Sequence, residues 1–271
     1  MAEALRGSIG SEGMGERSSH QPGTFSWTDL NTPDQEGAKA FYCALFGWDA
    51  DDQPVGEGIT YTMMSIGGKN VAAVSPQGED QKGMPPFWLS YVTVEDADAV
   101  TAKVTELGGT VMAGPFDVFD AGRMAVVQDP QGAFFAIWQP GQSIGAELVN
   151  APGALTLNQL NTSDPEAAGG FYSDLFGWDV SQVAETPQPY WGIHNQRALN
   201  GGMMGLPGEG GGPPHWLAYF ATESLDRSVD RIGELGGEIV VPPSPVPGGR
   251  IAVARDPHGA YFALLEGRLD P

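Results

Sequence analysis

The stretch FYCALFGWD, residues 41–49, decides the fold because it returns as FYSDLFGWD at residues 171–179, 130 positions later. An Asn-Thr-x-Asp segment precedes each copy, at residues 31–34 and 161–164. A motif that recurs with its flanking segment at one offset indicates duplication of a whole structural unit. The chain is therefore predicted to be a tandem repeat.

Each copy of the motif is predicted to end a helix. Asp34 and Asp164 are the expected N-caps, because a carboxylate accepts hydrogen bonds from the free amides of a first helical turn. Gly47 and Gly177 are the expected stops, since glycine tolerates positive φ. Apolar residues at helical spacing indicate that one face packs against a core. The predicted helices cover residues 34–46 and 165–176.

Three further pairs of segments extend the repeat over both halves of the chain. They are PPFWL and PPHWL (85–89 and 213–217), LGG and LGG (107–109 and 235–237), and DPQGA and DPHGA (129–133 and 256–260). The offset falls only from 130 to 127, which small loop deletions explain. The sequence predicts a disordered N-terminal arm, a first domain, a linker and a second domain, at residues 1–22, 23–140, 141–152 and 153–271.

Strand and turn patterns predict the order βαβββ four times, twice in each domain. In the first half, the segment between the helix and residue 60 is interpreted as a Gly/Pro/Asp-rich turn. Strands are expected at 24–31, 60–66, 70–75, 87–94, 110–116, 123–128 and 133–139, with a second helix at 97–107. In the second half, strands are expected at 154–160, 190–195, 199–206, 216–221, 238–241, 250–254 and 260–266, with a helix at 225–235.

Composition limits the classes of partner. The chain has 271 residues, enough for two domains of about 120 residues that each bury a core. A formal net charge of −21 argues against nucleic acid and anionic membranes, and it is compatible with a cationic ligand or with a purely solubilising role. No apolar run reaches membrane-spanning length, and no signal peptide is recognised, so a cytoplasmic protein is expected, either a monomer or a homodimer. The single cysteine, Cys43, excludes a disulfide within the chain.

Residues 23–267 resemble the vicinal oxygen chelate superfamily. The likeness rests on the paired βαβββ units, the Phe-Tyr-x-x-Leu-Phe-Gly-Trp helix end and the Asp-Pro-x-Gly-Ala turn before each last strand. That superfamily includes glyoxalase I, extradiol dioxygenases, fosfomycin-resistance enzymes and bleomycin-resistance proteins, and the tandem form resembles actinobacterial proteins of the 27-kDa-antigen type that are labelled hydroxylases. The resemblance implies an α+β fold of four βαβββ modules, forming two domains with cup-shaped mixed sheets.

The resemblance also implies a metal site, which this sequence does not reproduce. Metal-dependent members place a His on the first strand of a module and a Glu on the last. The His positions fall on Trp27, Leu89, Leu157 and Leu217, and the Glu positions on Ala136 and Ala263. Because these side chains cannot coordinate a divalent cation, neither a metal nor another cofactor is predicted. The alternative left open is a site built from His194, His215 or His258, with Asp29 or Glu266.

Strand alternation predicts which side chains line the two cups. Asp29 is the one acid expected in a cup, where it could pair with a ligand amine. Ordinary core packing is the alternative for each aromatic residue, and it is the favoured role of Trp48, Trp88, Trp178 and Trp216. The predicted ligand-binding residues are Trp27, Asp29, Tyr61, Met63, Leu89, Tyr91, Phe134, Trp138, Leu157, Gln159, Trp191, Leu217, Tyr219 and Tyr261.

Gly-Arg pairs before a strand recur in both halves, at Arg123 and Arg250. A guanidinium there could orient a ligand carbonyl. The favoured prediction is instead a hairpin-closing salt bridge with Asp129 or Asp256.

Three functions remain open at this stage. The leading hypothesis is metal-independent sequestration of an aromatic, cationic small molecule, such as an aminosugar-bearing aromatic polyketide, in self-resistance or as a biosynthetic accessory. The alternative is a metal-free tailoring enzyme of secondary metabolism, such as an isomerase, a cyclase or a hydroxylase-like protein. Its catalytic candidates are Asp29, Tyr91, Tyr219 and His194. Glyoxalase-like thiol chemistry, which needs a divalent ion, is the least favoured.

Overall fold

The structure, a computed structural model, describes residues 15–56, 58–183, 188–206 and 212–267. Within them lie sixteen strands and four α-helices, with one 3-10 turn, Glu79–Gln81. The helices are α1 (Gln35–Phe46), α2 (Ala97–Glu106), α3 (Pro165–Phe176) and α4 (Leu225–Glu234). The strands of the first half are β1 (Phe25–Thr32), β2 (Asp49–Gly56), β3 (Ile59–Ile66), β4 (Lys69–Pro76), β5 (Phe87–Thr93), β6 (Thr110–Val118), β7 (Gly122–Gln128) and β8 (Phe134–Pro140). Those of the second half are β9 (Leu155–Thr162), β10 (Asp179–Gln182), β11 (Tyr190–Asn195), β12 (Ala198–Gly205), β13 (His215–Ala221), β14 (Glu238–Val246), β15 (Gly249–Arg255) and β16 (Tyr261–Gly267).

The caps of α1 and α3 are the predicted ones. The Asp34 carboxylate accepts from the Gly37 amide at 2.9 Å, and the Asp164 carboxylate accepts from the Ala167 amide at 3.0 Å. Gly47 and Gly177 end the helices with φ of 72° and 74°. This left-handed conformation is unfavourable for residues that have a Cβ. Local sequence therefore sets both ends of these two helices.

Each half of the chain forms one eight-stranded sheet. The strand order is β2-β3-β4-β1-β5-β8-β7-β6 in the first and β10-β11-β12-β9-β13-β16-β15-β14 in the second. Each sheet contains two βαβββ modules, joined where β1 pairs antiparallel with β5 and where β9 pairs with β13. The fold class predicted from the sequence is confirmed, and the modules pair within one chain.

The segment interpreted as a turn after α1 is a strand. β2 and its counterpart β10 form the outer edges of the two sheets, and every described residue of β2 is exposed. Its sequence, DADDQPVG, lacks the alternation of apolar and polar residues that marks a half-buried strand. Pairing with β3 therefore determines this strand, and the local sequence does not.

The helix-facing sides of the two sheets share their cores. One buried cluster joins Phe41 and Tyr42 of α1 to Phe220 and Phe262 of the second sheet. The reciprocal cluster joins Phe171 and Tyr172 of α3 to residues of the first sheet such as Phe135. The four tryptophans predicted to be core lie in these clusters, each at most 5% exposed: Trp48, Trp88, Trp178 and Trp216.

Two reciprocal hydrogen bonds tie the halves together. Tyr42 Oη donates to Asp256 Oδ2 at 3.1 Å, and Tyr172 Oη donates to Asp129 Oδ2 at 3.0 Å. The other oxygen of each aspartate accepts three backbone amides of its own Asp-Pro-x-Gly turn. Each turn thus binds a helix of the opposite half.

This arrangement corrects the predicted arginine salt bridges. Arg123 pairs with Asp98 at 2.7 Å and Asp117 at 2.9 Å, while Arg250 pairs with Asp226 at 2.7 Å. Asp129 and Asp256 are nearly buried and are occupied by the tyrosine and amide donors. The arginines therefore bridge the last hairpin to the helix before it.

Residues 15–22, the last part of the predicted disordered arm, make defined contacts in the structure. Residues 1–14 lie outside the described residues, but residues 15–22 pack along the linker. Glu16 bridges to Leu148, the Arg17 amide donates to the Glu147 carbonyl at 2.9 Å, and His20 Nε2 donates to the Ala146 carbonyl at 2.7 Å. Burial lowers the pKa of His20. This arm therefore holds the linker against the first sheet.

Candidate functional site

The first sheet carries an aromatic cluster on the side away from the helices, which we call the first cup. Eight predicted site residues meet here: Trp27, Asp29, Tyr61, Met63, Leu89, Tyr91, Phe134 and Trp138. The linker contributes Ala146, whose amide donates to the Ser26 carbonyl at 2.7 Å. The Trp138 indole donates to the Ser143 carbonyl at 3.0 Å. Sequence alone did not assign the linker to this surface.

Asp29 is the centre of the polar groups in the first cup. Its Oδ2 accepts from Tyr91 Oη at 2.9 Å and from Tyr61 Oη at 3.2 Å, and its Oδ1 accepts from Asn31 Nδ2 at 3.1 Å. Tyr61 in turn accepts from the Trp27 indole at 3.0 Å. One carboxylate is thus held by two phenols and one amide at the floor of an apolar cup.

Burial dominates the chemistry of this carboxyl group. Asp29 is 5% exposed, and desolvation raises its pKa from 3.8 to about 6 although all three hydrogen bonds favour the ionised form. Desolvation and the nearby Asp29 charge raise the pKa of Tyr61 and Tyr91 well above 10, so both phenols remain donors near neutral pH. Asp29 therefore changes its charge just below neutral pH.

The second sheet carries the equivalent surface, which we call the second cup. Leu217, Tyr219 and Ala263 are buried in it, with Leu157 half-buried beside them. Gln159 takes the place of Asp29, because each lies on the first strand of its half, opposite a leucine of the fifth strand. Gln159 pairs with Leu217 of β13, and Asp29 pairs with Leu89 of β5. Tyr219 Oη donates to Gln159 Oε1 at 3.0 Å. The second cup is therefore uncharged at this position.

A directional chain of hydrogen bonds continues from Gln159. Its Nε2 donates to Asn161 Oδ1 at 2.9 Å, and Asn161 Nδ2 lies 3.1 Å from His215 Nε2. His215 Nδ1 lies 2.9 Å from the Pro213 carbonyl, which can only accept. The proton of a neutral imidazole is therefore on Nδ1, and Nε2 accepts from Asn161.

Of the remaining predicted residues, one lies on the other face of its sheet. Trp191 packs against the helix-side cluster, so its assignment to a cup wall is wrong. Tyr261 alternates with Ala263 and Leu265 on the cup side of β16, where it is 46% exposed with the Arg255 guanidinium 5.9 Å from its ring centre. His194 lies against Gly192 on the cup side of β11. The residue that sequence reasoning missed is Tyr190. Strand register identifies it, because the pair Gly192–Gly202 is equivalent to the pair Met63–Ala73. Tyr190 and Tyr61 each lie two residues before the first member of the pair, so they correspond.

A family model supports what the two sheets indicate. The model of the Glyoxalase/Bleomycin resistance protein/Dioxygenase superfamily matches residues 24–137 and 154–264. The chain belongs to this superfamily. Each match covers one eight-stranded sheet, so the chain contains two superfamily domains in tandem.

Relatives in this superfamily match nearly the whole chain. "Putative glyoxylase CFP32" of Mycobacterium tuberculosis is 42% identical and covers 93% of this chain and 98% of its own. "Anthracycline biosynthesis protein DauV" of Streptomyces sp. strain C5 is 39% identical, covering 91% and 94%. "Anthracycline biosynthesis protein DnrV" of Streptomyces peucetius is 38% identical with the same coverage.

Solved structures of the superfamily share the fold at low identity. The Mn(II)-bound glyoxalase from Novosphingobium aromaticivorans has a TM-score of 0.65 at 16% identity, covering 91% of this chain and 82% of its own. The 2,3-dioxygenase LapB from Pseudomonas sp. KL28 has a TM-score of 0.64 at 14% identity, covering 93% and 95%. At such identity these structures support the architecture alone.

The donor set of the cups does not fit the divalent metal that the superfamily implies. Trp27, Leu89 and Ala136 meet in the first cup, where His and Glu ligands would be needed, and Leu157, Leu217 and Ala263 meet in the second. Indole and alkyl groups supply no lone pair for a metal. In the part of the chain that the structure describes, no group of three or more His, Cys, Asp or Glu residues could hold an ion. We therefore derive no chemistry through a metal.

The histidines of the alternative metal site are also separated in the fold. His258 lies beside the Asp34 cap of the other half, 3.8 Å from its carboxylate, whereas His215 belongs to the second cup. Glu266 accepts from the Leu225 amide at 2.6 Å at the start of α4.

Within the described ranges, no helix is long and apolar enough to cross a membrane.

Proposed function

We propose that the protein binds and sequesters an aromatic small molecule that carries an amine, using the first cup and no metal. The observation that carries this proposal is Asp29, a nearly buried carboxylate that accepts from Tyr61 and Tyr91 in a cup that also holds Trp27 and Trp138. Aromatic side chains bind planar ligands by stacking, and a desolvated carboxylate is a strong partner for a cation. Both features point to one class of ligand.

Asp29 has room for a new partner only if a phenol moves. Tyr61 is half-buried and makes the longer of the two phenol hydrogen bonds to the carboxylate. A ligand ammonium replaces the 3.2 Å bond from Tyr61, while the shorter bond from Tyr91 remains. The amine removes the desolvation penalty of an unpaired charge, so binding stabilises ionised Asp29.

The charge of the whole protein supports the same ligand class. A net charge of −21 concentrates cations near the surface and speeds their association. Two relatives are named as anthracycline biosynthesis proteins. An aminosugar-bearing aromatic polyketide combines a planar ring system with an amine, and we assign this class of secondary metabolite to the first cup.

A second candidate function is metal-free proton transfer on the same ligand. The pKa of about 6 favours it, because a carboxyl group poised near neutral pH can both accept and return a proton. Tyr91, whose phenol stays protonated, would hold Asp29 Oδ2 in place for this transfer. This enzyme would act as an isomerase or cyclase, so its product can have the mass of its substrate.

Native mass spectrometry with aminomethyl-anthraquinone, a planar amine, tests the proposal. We expect one bound probe with no metal, and release of a probe with unchanged mass, chromatographic retention and NMR spectrum. Asp29→Asn should abolish this complex at the same concentrations, while the exposed-surface control Asp174→Asn should preserve it. An altered probe would favour the proton-transfer function, and a bound divalent ion or an unaffected Asp29→Asn complex would refute the binding site.

A further inference from the structure

The floor of the second cup is built from smaller side chains than that of the first. Leu157 and Leu265 stand where the first cup has Trp27 and Trp138. The register also places Gly192 opposite Gly202, where the first cup pairs Met63 with Ala73. The side chains of the second cup therefore leave more space for a planar ligand.

Tyr190 crosses this open floor. Its hydroxyl lies directly over Gly202, so that a Cβ at Gly202 would overlap Tyr190 Oη. Gly202 pairs with Gln159, which places the Tyr190 hydroxyl beside the hydrogen-bonded chain that contains Gln159. Glycine at this position lets the phenol reach the floor.

Tyr190 differs from its counterpart Tyr61 in its hydrogen bonding. Among residues 15–56, 58–183, 188–206 and 212–267, no hydrogen bond is made by Tyr190 Oη, and burial alone raises its pKa to about 12. In the first cup, Tyr61 accepts from Trp27 and donates to Asp29. Leu157 provides no such donor, and Gln159 Oε1 already accepts from Tyr219. Tyr190 is half-buried, so a ligand acceptor can reach this hydroxyl and would satisfy it.

We propose that the second cup is a separate binding site for an uncharged planar ligand with a carbonyl group, and that Tyr190 Oη donates to this carbonyl. The second cup has Gln159 where the first has Asp29, so an ammonium ion would find no carboxylate at this position. A quinone or aryl ketone offers both a flat ring and an acceptor. This site goes beyond the proposed function and does not depend on Asp29.

The probe that tests this site is hydroxymethyl-anthraquinone, which differs from the amine probe by one uncharged group. We expect Tyr190→Phe to weaken its binding to the full chain about fivefold to tenfold, the effect of one hydrogen bond. Infrared difference spectroscopy supplies a direct signature. The carbonyl stretch of the bound probe should lie below its value in solution in the wild type, and Tyr190→Phe should remove that shift.

A matched pair of glycine variants on β12 separates steric blocking from loss of folding. Gly202→Ala forces the Tyr190 phenol off the floor and should weaken binding about tenfold or more. At Gly205 a Cβ meets only the Pro165 ring at 3.8 Å, so Gly205→Ala should bind like the wild type.

The outcomes distinguish the two proposals. If hydroxymethyl-anthraquinone does not bind, or binds equally well to Tyr190→Phe and Gly202→Ala, the second site is refuted whatever the amine probe does. If it binds as described while aminomethyl-anthraquinone does not bind, the proposed function of the first cup fails and the second site stands.

Discussion

The two cups have the same strand order and register, yet they have different chemistry. The first places Asp29, Trp27 and Trp138 where the second has Gln159, Leu157 and Leu265. By contrast, the helix-side cores repeat one set of aromatic residues: Phe41, Tyr42, Trp48 and Trp88 return as Phe171, Tyr172, Trp178 and Trp216. The duplicated scaffold thus holds two surfaces that are free to differ, one acidic and aromatic, the other neutral and more open.

The comparison predicts that Asp29 of the first cup lowers the free energy of unfolding at neutral pH, and that Gln159 of the second cup does not. Burial raises the pKa of Asp29 from 3.8 to about 6, so the folded protein binds this proton more tightly than the unfolded chain does. Ionised Asp29 therefore opposes folding above pH 6, and the penalty disappears as the pH falls towards 4. The two-unit difference corresponds to about 3 kcal/mol.

Asp29→Asn should accordingly raise the free energy of unfolding by up to about 3 kcal/mol at pH 8 and by little at pH 4. Urea unfolding at both pH values measures this. Asp174→Asn, an exposed carboxylate on α3, is the control and should change the pH dependence little. An equal gain at both pH values would show that packing, and not ionisation, sets the effect.

A second prediction concerns binding of the amine probe. Asp29→Asn removes one partner of a buried ion pair, so affinity for aminomethyl-anthraquinone should fall about 30-fold, or about 2 kcal/mol. Calorimetric titration at pH 7.5 measures the loss. If Gln159→Leu caused the same loss, the probe would be bound in the second cup instead.

A third prediction tests what the halves share. Tyr42→Phe and Tyr172→Phe each remove a hydroxyl that donates to an aspartate of the other half and accepts from an indole. Each should lower the free energy of unfolding by about 1–2 kcal/mol. Thermal unfolding compares the two variants, and a large difference between them would contradict the equivalence of the two contacts between halves.

The smallest predicted effect converts one feature of the first cup into that of the second. Trp27→Leu removes a stacking surface and the indole donor to Tyr61, so binding of aminomethyl-anthraquinone should weaken by about 1 kcal/mol. Leu157→Ala in the second cup is the matched control. Unchanged affinity of Trp27→Leu would place Trp27 outside the site.

Most of the architecture could be predicted because its signals are local and repeated. The caps at Asp34 and Gly47, and the alternation along β1 and β5, depend on neighbouring residues. β2 could not be predicted, because an exposed edge strand needs no apolar face. Nor could the partners of Arg123 and Asp129, which depend on how the halves pack.

Within the candidate site, prediction worked where the strand alternation had a fixed starting point. Counting from the helix caps placed Trp27 and Asp29 together with Leu89 and Tyr91. On β11 no such reference existed, and Trp191 was chosen one residue away from Tyr190. A one-residue error reverses the face of a strand, which is why the open hydroxyl of the second cup was missed.

The most direct test of the account is the pH dependence of wild-type affinity for the two probes between pH 5 and pH 8. An Asp29 pKa of about 6 predicts that binding of aminomethyl-anthraquinone weakens about tenfold from pH 7 to pH 5. Binding of hydroxymethyl-anthraquinone, which is uncharged and meets Gln159 in place of Asp29, should not show this Asp29-dependent loss. The same pH profile for both probes would contradict the claim that they bind in different cups, one with Asp29 and one with Gln159.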